Sequence, residues 1–203
     1  MKKAISILAA AMMLSCTFVS CGSKSSDEEE GLVGKWEISE ESLKAEFDGE
    51  GEYTPTGASV EFTEDNKVIM KAEVDYSDSI KLKEETVIWG KDEVPYTYDG
   101  KTITVGGMLT FDRIGDADES SSYGDYTSDY FSTDGKECVI HFESADKTTM
   151  EFTQQGTYEY NEDEGTITTS LDEEGEEPSK VEIDGDTLKV TDKDGTETYT
   201  RAK

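Results

Sequence analysis

From residue 31 onward, nearly every apolar residue falls in a short run of period two. Val60/Phe62, Val68/Met70, Ile80/Leu82, Tyr96/Tyr98, Ile103/Val105 and Leu109/Phe111 alternate with polar neighbours. So do Cys138/Ile140/Phe142, Met150/Phe152, Tyr158/Tyr160, Ile167/Thr169/Leu171, Val181/Ile183 and Leu188/Val190. Successive side chains of a strand point to opposite faces, so the pattern predicts strands with one buried and one wet face. Asp99-Gly100, Asp134-Gly135, Asp184-Gly185 and Asp194-Gly195 stand between runs. Such pairs suit tight hairpins, because glycine accepts positive φ and aspartate tolerates it. Only Glu40–Phe47 reads as a short helix, and a loop fits it equally. The expected fold class is all-β, an antiparallel meander of hairpins.

The strands repeat. Tyr96-Thr97-Tyr98-Asp99-Gly100 through Val105 aligns with Val181-Glu182-Ile183-Asp184-Gly185 through Val190. Val60-Glu61-Phe62 through Met70 aligns with Ile140-His141-Phe142 through Met150, and Gly34-Lys35-Trp36 with Gly124-Asp125-Tyr126. The two arginines of the chain, Arg113 and Arg201, each close the last strand of a half. This predicts two tandem related β modules, 31–115 and 124–203, with the Asp- and Ser-rich segment 116–123 as linker. One larger barrel is the alternative. Modules of this size fold alone only marginally, so packing against each other is expected if they are separate.

Gly34-Lys35-Trp36 opening the first strand, with Thr110-Phe111-Asp112-Arg113 on a closing strand, resembles the lipocalin-like β-barrels and the small lipocalin-like domains of bacterial lipoproteins. The resemblance implies that Trp36 plugs one end of a barrel and that Arg113 packs over its ring. In the second module, whose last strand carries Arg201 as a closure residue, Tyr126 stands in place of the tryptophan, a departure that leaves the closure of that module open. A guanidinium over an indole gains up to about 2 kcal/mol when desolvated. These roles are structural. With Trp36, Phe62, Met70 and Phe111 facing inward, a filled core is expected, although barrels of this class can hold a small apolar ligand.

The N-terminus carries a different signal. Met1-Lys2-Lys3 is followed by an apolar stretch, Ala4 to Val19, broken by Ser6, Ser15, Cys16 and Thr17. A positive start, a short apolar run and a small residue before the cut describe a secretory signal peptide, here 1–20. A spanning helix needs about 20 apolar residues. Val19-Ser20-Cys21-Gly22 resembles the lipobox of bacterial lipoproteins, with Phe18 where that family most often has leucine. The resemblance implies lipidation of Cys21. Cys16 is a second candidate, but the apolar run continues past it. Residues 21–30, small and polar and then acidic at Asp27-Glu28-Glu29-Glu30, read as a disordered tether. The expected location is extracytoplasmic, held by lipid on a bacterial cytoplasmic or outer membrane.

Charge narrows the partners. The chain has 19 Lys and Arg against 48 Asp and Glu, a formal charge of −29. Removal of Lys2 and Lys3 with the leader leaves 17 against 48, or −31. Nucleic-acid binding needs basic surface and is not expected. Anionic headgroups would repel the body, so membrane adhesion rests on acyl chains. A cationic protein is a fitting partner.

Catalytic patterns are missing from the sequence. The single histidine, His141, alternates out of phase with Cys138, so the two cannot share a metal from one regular strand. There is no Gly-x-Ser-x-Gly elbow and no zinc spacing. Asp116/Asp118/Glu119, Glu173/Glu174/Glu176/Glu177 and Asp192/Asp194 are acidic clusters. They suit solvated turns better than paired-carboxylate hydrolysis or calcium binding. Tyr123, Tyr126, Tyr130 and Phe131 cluster near the linker, as a strand or as an aromatic binding face. No metal or cofactor is expected. The chain reads as a non-enzymatic, membrane-tethered binding or interaction protein. The second reading is a cell-envelope protein that captures cationic host proteins or peptides, and a carboxylate hydrolase ranks third.

Overall fold

A computed structural model describes residues 31–46, 53–132, 136–172, 177–193 and 195–203. The chain is all-β apart from one short helix. In order it forms β1 (Gly34–Ile38), α1 (Glu40–Glu46), β2 (Thr54–Phe62), β3 (Lys67–Asp75), β4 (Ile80–Leu82), β5 (Thr86–Trp89), β6 (Asp92–Tyr98), β7 (Thr102–Val105) and β8 (Leu109–Arg113). There follow β9 (Gly124–Thr127), β10 (Lys136–Ser144), β11 (Lys147–Asn161), β12 (Thr166–Thr169), β13 (Ser179–Asp184), β14 (Thr187–Thr191) and β15 (Thr196–Arg201).

These elements divide into two compact units. Unit 1 takes its described residues from 31–46, 58–70 and 155–203, and unit 2 from 53–57 and 71–154. The chain passes between them within β2, β3 and β11.

Unit 1 contains a lipocalin-like barrel of eight antiparallel strands. β1, β2, β3, β11, β12, β13, β14 and β15 are hydrogen-bonded in that order, and β15 pairs back with β1. Closure removes the free edges that an open sheet would expose. The alternation seen in the sequence is the inward set. Trp36, Val60, Phe62, Val68, Tyr158, Ile167, Val181, Leu188 and Tyr199 form one buried cluster with Leu32. Phe62 meets Tyr158 edge-on, ring centroids 5.1 Å apart. Ser39 starts α1 as its cap: its Oγ accepts from Ser42 N at 3.2 Å, and Glu40 and Glu41 occupy the favourable first turn. Phe47 lies outside the described residues.

Unit 2 is a meander in which β4 through β10 each pair with the next, followed by β11. Its core holds Val74, Leu82, Val87, Ile103, Phe111, Tyr126, Ile140 and Phe142. Aromatic rings run through it: Trp89 stacks on Phe131 at 6.0 Å, Phe131 on Phe111 at 6.2 Å, and Phe142 meets both Phe111 and Tyr126 edge-on. Cys138 is buried, and burial pushes its thiol up to about 12. It packs as a small hydrophobe.

The division differs from the expected tandem modules 31–115 and 124–203. Segment 116–123 does not separate the units. It lies inside unit 2, where β8 and β9 on either side of it pair with each other. Each unit therefore draws strands from both repeats. The reason is long-range pairing: β3 bonds to β11, its own counterpart in the other repeat. The leader 1–20, Cys21, the tether 21–30, Asp134-Gly135, Glu173, Glu174, Glu176 and Asp194 lie outside the described residues.

Candidate functional site

Two constructions hold the polar side chains that the folding brings together. The first is an arginine–aromatic pair in each unit, which in unit 1 spans the closing strand pair β1–β15. Trp36 and Arg201 face each other across the β1–β15 pair, and the guanidinium carbon stands 4.0 Å from the ring centroid. Arg201 donates to the carbonyls of Val33 at 3.0 Å and Gly31 at 2.8 Å, while Trp36 Nε1 donates to Leu32 O at 2.8 Å. In unit 2, Arg113 faces Tyr126 across β8–β9, 5.8 Å from its ring. Arg113 donates to Tyr123 O at 3.0 Å and Ser121 O at 2.9 Å, and Tyr126 Oη donates to Ser122 O at 2.8 Å. Gly34 and Gly124 precede the two rings at φ 132° and 150°, and a Cβ on either would lie 2.9 Å from a guanidinium nitrogen. Positive φ and lack of room both call for glycine here.

Arg201 thus closes on Trp36, and Arg113 on Tyr126. The resemblance placed Arg113, not Arg201, over Trp36. The short connection after Arg113 brings β8 beside the next strand, β9, and leaves β15 to meet β1.

The second construction is an open groove of about 570 Å³ on unit 2. It is lined by Glu84 and Glu85 between β4 and β5, Pro95, Tyr96 and Tyr98 of β6, and Glu119 to Ser122 before β9. Tyr96 and Tyr98 share a strand face because they are two residues apart. Their hydroxyls fix the walls. Tyr96 Oη lies 3.1 Å from Lys83 O and 3.2 Å from both Glu84 O and Ser122 Oγ. Tyr98 Oη donates to Gly100 O or Asp118 O and accepts from Arg113 Nη1 at 2.9 Å. Ser120, through its hydroxyl at 2.6 Å and its amide at 2.9 Å, holds the Asp118 carboxyl below the usual carboxylate range, with Arg113 adding to the effect. Gly100, at φ 93°, lets Glu119 pass close by, since a Cβ there would lie 2.8 Å from Glu119 Cγ. Three of the lining residues are carboxylates and none is basic. Lys83 Nζ turns instead to Asp146 at 2.6 Å. The arrangement offers aromatic walls, hydroxyls and concentrated negative charge.

The other sequence candidates disperse. Tyr126 is buried and Phe131 is drawn into the aromatic core, leaving Tyr123 and Tyr130 exposed. His141 bonds Asp125 through Nδ1 at 2.8 Å on the wet face, opposite the buried Cys138. Among the described residues no group of three His, Cys, Asp or Glu is placed to hold a metal. Sequence reasoning missed the groove. Tyr96/Tyr98 fits the strand pattern alone, and Glu84-Glu85 is ordinary in so acidic a chain.

Fold and closure define the class: an antiparallel β protein with a lipocalin-like eight-stranded barrel. No protein-family model, curated protein or solved structure matches the chain significantly.

Proposed function

We propose that the chain is a lipid-anchored, extracytoplasmic, non-enzymatic binding protein that captures a cationic peptide segment in the groove of unit 2. The observation that carries the reading is the lining: Glu84, Glu85 and Glu119 beside Tyr96 and Tyr98, with no basic side chain among them. Lys or Arg side chains suit such a surface twice, through the carboxylates and through the tyrosine faces. The formal charge of −29 steers cations toward it from a distance. A small apolar ligand inside the barrel is less well supported, because the Trp36 and Phe62 cluster occupies the interior of unit 1. The leader and the Val19-Ser20-Cys21 sequence support the anchored location.

The test is titration of the mature chain with a short oligolysine, beside a neutral peptide of equal length. Binding is expected at low salt and is expected to weaken strongly near ~0.5 M salt. Replacing Glu84, Glu85 and Glu119 together by glutamine is expected to weaken it by about tenfold or more. The same charge removed from unit 1, as Glu159→Gln, Glu182→Gln and Asp184→Asn, should leave most of the affinity. Equal losses in the two triple variants would mean that net charge alone attracts the peptide, and the groove would lose its role.

A further inference from the structure

The closing contacts of the two units match position for position. In each unit the arginine reaches the carbonyls three and five residues before the ring, Val33 and Gly31 or Tyr123 and Ser121. In each, the ring's own polar atom donates to the carbonyl four residues back, Leu32 or Ser122. The strand pairings match as well: Gly34 and Trp36 face Phe62 and Val60, as Gly124 and Tyr126 face Phe142 and Ile140. The partner repeat is exchanged, however. Trp36 belongs to the first repeat and its arginine, Arg201, to the second, while Tyr126 belongs to the second and Arg113 to the first. The equivalent strands β3 and β11 pair with each other. Lys71, beside Met70, and Glu151, beside Met150, hold equivalent positions and meet each other at 2.8 Å. A residue that meets its own equivalent is the signature of an isologous, two-fold contact between copies. With identical copies this contact would join like charges, and here it joins opposite ones.

We infer that the two repeats are obligate partners that have exchanged halves, the fused form of a homodimer of one repeat. Each repeat leaves β1, β3 and β8, or β9, β11 and β15, to be paired by strands of the other. The covalent joint between them then serves to keep them together and is not needed for the fold. Domain swapping of this kind is a low-cost route to paired structures.

The experiment cuts the joint in the whole mature chain, through a protease site inserted between the exposed residues Asp116 and Ala117. The cut protein is expected to elute as one species at the size of the uncut chain, with its circular dichroism unchanged, and to come apart only in denaturant. Returned to buffer singly, each half is expected to be unfolded or dimeric, and mixing the two should restore the original species. Two separately folded monomers after cutting, or loss of structure on cutting, would overturn the inference. In the cut protein, Lys71→Glu is expected to weaken reassociation by roughly three- to tenfold, with recovery on adding Glu151→Lys. No change in either variant would overturn the facing of equivalent positions.

Discussion

With Trp36 replaced by alanine, unit 1 is expected to lose about 3–5 kcal/mol, the usual cost of truncating a large buried aromatic. The side chain is fully buried in the main cluster of the barrel and carries three connections at once. It fills the interior, its indole N–H satisfies Leu32 O, and its face receives Arg201. Small domains hold only about 5–15 kcal/mol in total, so the loss is a large share of the whole. Urea unfolding followed by circular dichroism should show a lower midpoint, and amide exchange should rise first in β1 and β15. Trp89, the other tryptophan, reports separately on unit 2. An unchanged midpoint would mean that Trp36 is not the plug of the barrel.

Replacing Cys21 by serine in the full-length chain is expected to move the protein from the membrane pellet to the soluble fraction and to abolish incorporation of labelled fatty acid. The physical reason is one-sided adhesion. Each buried methylene of an acyl chain contributes about 0.8 kcal/mol, whereas a chain with a formal charge of −29 is repelled by anionic headgroups. A variant that stays in the pellet and keeps its label would transfer the modification to Cys16. A variant that stays without label would remove the lipid from the account altogether.

The strands were legible because an antiparallel sheet packed on a core buries one face of each strand, in the barrel and in the meander alike, which is what period-two alternation records. Val60/Phe62, Ile103/Val105 and Cys138/Ile140/Phe142 all lie inward as the pattern requires. Asp99-Gly100 and Asp184-Gly185 turn as their composition demands, with glycine φ of 93° and 56°. The Gly-x-aromatic and arginine signals were legible as elements of closure but not as pairs. Arg113 and Arg201 sit in equivalent settings, so each satisfies either ring by local criteria. Strand pairing decides between them, β8 with β9 and β15 with β1, and the second of these joins Trp36 to Arg201 across most of the chain, a distance over which alternation has no memory. The groove was hidden for another reason. Its tyrosines obey the strand pattern, and its glutamates are three among 48 acidic residues. What marks them is convergence in space, with Ser122 against Tyr96 and Asp118 against Tyr98.

The most direct measurement is a pair of double-mutant cycles on stability. One crosses Trp36→Phe with Arg201→Met, and the other crosses Trp36→Phe with Arg113→Met. Coupling of about 1–2 kcal/mol is expected between Trp36 and Arg201, and a value within ~0.5 kcal/mol of zero between Trp36 and Arg113. Strong coupling of Trp36 to Arg113 with none to Arg201 would restore two self-contained tandem modules and contradict the exchange of halves.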